Sequence, residues 1–121
     1  MSDLQLFTRR VDADNLDAAK TYLSLLWSLH RAAQEIAEIE KHAQVFDRRA
    51  NDIVRSAGGV PWGWDDPGVH RELLKVLSGK KLHPPILVNQ ETGLVIADGS
   101  HRVSFAYHVD PFMTIPVFMI A

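Results

Sequence analysis

The chain contains no cysteine, which excludes disulfide bonds and any mechanism that depends on a thiolate. A lack of cysteine fits a reducing compartment, and we expect a cytoplasmic protein. Long apolar runs are missing too, so the sequence predicts neither a signal peptide nor a membrane partner. With 121 residues, 46% of them hydrophobic, the chain can form one domain with its own core.

The chain also lacks a strong charge of one sign. Its net charge of −2 gives no electrostatic basis for general nucleic-acid affinity, so DNA is only weakly supported as a partner. The basic pairs Arg9-Arg10 and Arg48-Arg49 have acidic neighbours and are interpreted as solvated surface. Lys80-Lys81 directly precedes a predicted strand beside a polar corner, and Lys81 is therefore a candidate ligand-binding residue.

Glycine and proline are absent from Asp14 to Ser56, where helix-forming residues dominate. Apolar residues recur there at alternating spacings of four and three, as in an a/d heptad: Ala18, Tyr22, Leu25, Leu29, Ala32, Ile36, Ile39, Ala43, Phe46, Ala50 and Ile53. The pattern predicts either a long helix that forms a homodimer or a helical hairpin bent near 40–45. A short strand is predicted over 4–8, and Asp12 or Asp14 as the helix N-cap.

The polar corner is Asp98-Gly99-Ser100-His101-Arg102. It follows a predicted hairpin of Ile86–Val88 and Leu94–Ala97, and helical spacing resumes after it. The unpartnered amides of a helix N-terminus, together with a hydroxyl, an imidazole and a guanidinium, favour an anion such as phosphate. The alternative is a capped helix start with a turn glycine and a surface arginine.

These residues carry a resemblance to a known family. The order of strand, hairpin, strand, Asp-Gly-x-His-Arg, helix and a closing Ile-Pro-Val strand resembles the ParB/sulfiredoxin superfamily. The match covers about residues 66–118 and includes an upstream helix with Leu73, Leu74 and Leu77 on its predicted buried side. It implies an α/β (α+β) fold with a small mixed sheet, here preceded by the helical arm or hairpin.

The resemblance also implies a nucleotide site. By position, Gly99, Ser100, His101 and Arg102 would bind the phosphate of a nucleoside triphosphate, ATP or CTP, accompanied by Mg²⁺. Asp98 would orient the loop or assist proton transfer with His101. Glu72 would be a general base, although a solvated helix glutamate is the competing interpretation.

The sequence also departs from the family. The catalytic cysteine of sulfiredoxins corresponds to Ser100, so thiol chemistry is excluded. Val69, Glu72 and Val76 stand where the preceding helix of sulfiredoxins offers polar ligands. The chain stops at Ala121, so we expect no helix-turn-helix DNA-binding domain of the kind that partition proteins carry.

A loop over 57–68 separates the helical part, 1–56, from the family-like part, 69–121. Trp62 and Trp64 in this loop either cover the core, stack on a base or anchor an interface. The histidines show no metal-ligand spacing, and we predict no metal site held by the protein alone.

Two functions from different classes follow. The first is a nucleotide- or phosphate-binding protein with NTP hydrolysis or phosphodiester chemistry, in a DNA-maintenance, plasmid or phage context. The second is a non-catalytic adaptor that binds a protein partner through the coiled coil and the tryptophan loop.

Overall fold

The computed structural model describes residues 6–121, which form an α+β fold, as predicted. Five helices and four strands lie within the described residues. The helices are α1 (Ala13–Leu26), α2 (Leu29–His42), α3 (Ala50–Ser56), α4 (Pro67–Leu77) and α5 (Ser100–Val109); the strands are β1 (Gln44–Arg49), β2 (Ile86–Gln90), β3 (Gly93–Asp98) and β4 (Thr114–Met119). No helix of this part of the chain is long and apolar enough to cross a membrane.

The four strands form one mixed sheet in the order β1-β4-β2-β3. β2 and β3 are the predicted antiparallel hairpin, joined at Glu91 and Thr92, and Gly93 adopts a positive φ at the turn. β4 contains the predicted Ile-Pro-Val segment and runs antiparallel to β1 and parallel to β2. The hairpin therefore delivers Asp98 to the end of an edge strand, directly before α5.

The single long helix predicted over 14–56 is wrong, and the helical hairpin is the arrangement observed. Its turn lies at Trp27 and Ser28 rather than near 40–45. Trp27 has extended backbone angles, and the Ser28 hydroxyl accepts a hydrogen bond from the amide of Arg31, which starts α2. At Ala43 the chain leaves α2 and enters strand β1.

The apolar heptad is divided between two clusters of the protein's own interior. Ile36 and Ile39 pack with residues of α1 and of β2 and β3. Ala50 and Ile53 belong to a second cluster with residues of α4, α5 and β4, and Phe46 packs against it. From Ala32 to Ile53 the heptad is thus buried or partly buried within the chain, and that stretch no longer argues for a coiled-coil dimer; its earlier members Ala18, Tyr22, Leu25 and Leu29 are exposed.

The start of α1 agrees with the sequence. Asp12 is the N-cap, and with Asn15 it forms a capping box in which each side chain accepts from the other's amide. Of the strand predicted over 4–8, Phe7 forms a single parallel bridge with Leu82, and residues 4 and 5 lie outside the described residues.

The buried side of α4 was predicted incorrectly, because the helix is rotated by part of a turn relative to the prediction. Leu74 and Leu77 are exposed, Leu73 is partly buried, and the buried residues of this helix are Gly68, Val69 and Glu72. The orientation is set at the N-terminus of α4, where Gly68 packs directly against the ring of His101. A carboxylate therefore points to the interior where the spacing predicted leucine.

Candidate functional site

The turn between β3 and α5 requires glycine at position 99. Gly99 is the N-cap of α5 with φ 99°, in the left-handed region that glycine adopts at little cost. A Cβ there would lie 2.6 Å from Nη2 of Arg102 and 2.9 Å from Cβ of Pro85. Because Gly99 has no side chain to cap the helix, the first amides of α5, from Ser100 onward, are left available to a ligand.

Asp98 and Arg102 form an ion pair at the base of this turn. Nη2 of Arg102 donates to Oδ2 of Asp98 at 2.6 Å, and both side chains are largely buried. Oδ2 of Asp98 also accepts from Nδ2 of Asn15 at 3.3 Å, which ties the start of α1 to the corner. Nε of Arg102 is buried and has no hydrogen-bond partner among the described residues. Asp98 thus holds Arg102 in place.

His101 is oriented by a carboxylate that the sequence did not single out. Its Nε2 lies 3.2 Å from Oδ2 of Asp66, the N-cap of α4. A carboxylate oxygen only accepts, so Nε2 of His101 can donate to Asp66 when that nitrogen carries the proton. The indole of Trp62 lies beside the imidazole, with ring centroids 5.6 Å apart. His101 is therefore fixed by α4 and by the tryptophan loop.

Helix α4 contributes three charged side chains to the same region. Glu72 is only 6% exposed, which contradicts its interpretation as a solvated helix residue. Its Oε1 lies 3.6 Å from Nζ of Lys75, whereas Oε2 is buried and has no hydrogen-bond partner in the described part of the chain. Arg71 is exposed and has no ion-pair partner among residues 6–121. A buried oxygen of this kind is expected to bind a water or a ligand group.

These groups open into one cleft with a volume of about 720 Å³. This size lies within the range of small-molecule sites. The cleft is lined by β3, the start of α5, one face of α4, part of α1 and the loop after α3. Its polar side chains include three cations, Arg71, Lys75 and Arg102, against two carboxylates, Glu72 and Asp98. The two carboxylates are each paired, so Arg71 and the α5 amides are left to attract an anion.

The structure brings together most of the predicted site. Asp98, Gly99, Ser100, His101, Arg102 and Glu72 all line the cleft. Lys81 does not line it, because the chain runs from α4 through an exposed turn before β2 begins. Val69 and Val76, which stand at nucleotide-ligand positions of the family, pack in or against the core instead.

Sequence reasoning missed four residues of this region: Asn15, Asp66, Arg71 and Lys75. Asp66 carried a signal, since Asp followed by Pro and Gly is typical of a helix start, but its contact with His101 depends on the fold. Arg71 and Lys75 are four residues apart and therefore share a helix face, and Glu72 neighbours Lys75 at a spacing of three. That spacing could have predicted a charged face of α4.

The two tryptophans of the loop have different environments. Trp64 packs edge-on against Phe105 of the core and lies beside His108, as the core-covering interpretation predicted. Trp62 lines the cleft and is 51% exposed. No group of His, Asp or Glu in the described residues could hold a metal ion.

Comparisons of the chain with protein-family models, with curated proteins and with solved structures found no match. The resemblance to the ParB/sulfiredoxin superfamily thus stays a prediction carried by the residues that suggested it.

Proposed function

We propose that the protein binds the phosphate groups of a nucleoside triphosphate, such as ATP or CTP, in the cleft at the start of α5. The carrying observation is that the uncapped N-terminus of α5 opens into the cleft beside Arg71, a cation with no carboxylate partner within residues 6–121. Oriented amides, a helix dipole and a nearby guanidinium together favour phosphate. Mg²⁺ would arrive with the nucleotide, held mainly by phosphate oxygens.

The roles within the site follow from what each side chain already contacts. The guanidinium of Arg102 pairs with Asp98 and lines the cleft. Its positive charge there favours a bound phosphate. His101, oriented by Asp66, can donate to a phosphate oxygen when both ring nitrogens are protonated. Ser100 offers a hydroxyl and an amide at the helix start.

Hydrolysis of the nucleotide, or a related phosphodiester reaction, would need a base for the attacking water. Glu72 fits that role best, because it lines the cleft and its Oε2 has no hydrogen-bond partner within residues 6–121. Oδ2 of Asp98 is occupied by Arg102 and Asn15, so Asp98 acts by positioning. The proposed setting is DNA maintenance in a plasmid or phage, as the resemblance implies.

Calorimetric titration with tripolyphosphate, ATP and CTP, each with Mg²⁺, tests the proposal. Arg71→Ala should weaken binding by about tenfold or more, since hydrogen bonds to charged groups contribute about 1.5–3 kcal/mol. Because Arg71 is exposed and unpaired, the fold should be unaffected. Arg49→Ala is the matched control, an exposed arginine on β1 that does not line the cleft. Absence of binding by the wild-type protein to all three compounds would refute the function.

The adaptor remains a second candidate, favoured by one observation. The turn of the α1–α2 hairpin carries two leucines that are strongly exposed, Leu25 at 79% and Leu29 at 67%. Exposed apolar groups of this kind are typical of interaction sites. A homodimer or another protein partner would then use the tip of the hairpin, where these two residues of the predicted heptad are exposed.

A further inference from the structure

The cleft is lined by apolar side chains as well as by polar ones. Trp62 and Val60 from the loop and Tyr22 and Leu26 from α1 all line it, and all four are substantially exposed. Phosphate does not explain these side chains, because an anion gains nothing from apolar and aromatic surfaces. The cleft therefore has room and suitable chemistry for a planar ring attached to the phosphate.

Trp62 is held in place by its backbone while its indole stays half-exposed. Its amide donates to Oγ of Ser104 at 3.0 Å, and its carbonyl oxygen lies 2.6 Å from Nε2 of His108. Both partners belong to α5, so the same helix that begins at the phosphate corner also fixes the position of Trp62. The contact of the indole with the His101 ring further restricts its orientation.

A tryptophan held this way costs little to order when a ligand binds, because its backbone contacts already exist. Large rigid aromatics with exposed faces bind nucleobases by stacking, with little regard to which base is present. Tyr22 provides a second exposed aromatic ring on the same cleft.

We infer that Trp62 stacks on the base of the bound nucleotide, with Tyr22 and Leu26 of the helical hairpin completing the base site. The inference rests on the proposed phosphate site and adds to it a neighbouring site for the base of the nucleotide. It assigns the α1–α2 hairpin a direct role in ligand recognition. It also predicts a preference for nucleotides over bare polyphosphate, and tolerance among bases.

The test compares ATP and CTP with tripolyphosphate by calorimetry, all with Mg²⁺. The wild-type protein should bind both nucleotides at least about tenfold more tightly than tripolyphosphate, the range expected for one stacked base. Trp62→Ala should remove this advantage and leave tripolyphosphate affinity unchanged, and Trp62→Phe should retain most of it. Trp64→Ala is the matched control, because Trp64 is similarly exposed but does not line the cleft.

The possible outcomes distinguish failure of the base site from failure of the proposed phosphate-binding function. If tripolyphosphate binds as tightly as the nucleotides, the base site is refuted and the phosphate site stands. If Trp62→Ala weakens nucleotides and tripolyphosphate equally, Trp62 acts only through His101, and the base site is again refuted. If none of the compounds binds, both proposals fail. Far-UV spectra and thermal unfolding confirm that each variant is folded. If Trp62→Ala does not fold, the nucleotide affinity of Trp62→Phe is used in its place.

Discussion

Replacing Gly68 with alanine should reveal how tightly His101 is packed onto the start of α4. A Cβ at this position would lie 2.4 Å from Cδ2 and 2.5 Å from Nε2 of His101. Because ordinary contacts begin near 3.4 Å, the ring would have to move by about 1 Å. Overpacking of this kind costs about 1–3 kcal/mol, whereas alanine in place of glycine contributes about 1 kcal/mol of helix propensity. We expect Gly68→Ala to lower the free energy of unfolding by about 0–2 kcal/mol.

The same substitution in a His101→Ala background isolates the contact. Without the imidazole the clash disappears, so Gly68→Ala should raise the free energy of unfolding by up to about 1 kcal/mol. Urea unfolding of the four proteins, followed by circular dichroism, measures the coupling free energy, which should reach about 1–3 kcal/mol. An equal effect of Gly68→Ala in both backgrounds would refute the packing of His101 against α4.

Two further predictions concern catalysis and assembly. If the protein hydrolyses a nucleotide, Glu72→Gln should lower the rate of phosphate release by at least about a hundredfold and retain binding, as expected for loss of a general base. Asp98→Asn should instead weaken nucleotide binding and lower the stability of the fold, because it disrupts the ion pair with Arg102. Equal phosphate release by Glu72→Gln and the wild-type protein would exclude Glu72 as the base. If the hairpin tip is a homodimer interface, light scattering should show that the wild-type protein self-associates. The double substitution Leu25→Ser and Leu29→Ser should then give a monomer with an unchanged free energy of unfolding, because both side chains are exposed. Ile39→Ser serves as the contrast, since Ile39 is buried and its replacement should lower stability whatever the oligomeric state.

Local features of the sequence were sufficient to predict the polar corner and its surroundings. The β2–β3 hairpin and the glycine before α5 follow from turn chemistry, β-prone runs and helical spacing within short windows, whereas the strand β4 was predicted from the family resemblance. The Asp12 cap of α1 is equally local, since an N-cap depends on the few residues that follow it.

The helical arm was mispredicted because its pattern is compatible with more than one fold. Gln44–Arg49 lacks a helix breaker and continues the heptad through Phe46, yet it forms a strand paired along its length with β4. That pairing joins segments far apart in the chain, so it cannot be found from spacing alone. Ser28, a preferred N-cap residue inside the helical pattern, was the local signal for the turn.

The chemical environment of the site was decided only by tertiary structure. Whether Glu72 is solvated or buried depends on how α4 is rotated against α5, and that rotation is set by Gly68 against His101. Asn15 reaches Asp98 only because α1 packs beside β3. The residue types at the corner determined which ligand chemistry is available, and the packing of distant helices determined which of those groups are buried, paired or left for a ligand. This division arises because burial and pairing are properties of contacts between segments, and those contacts do not exist until the chain has folded.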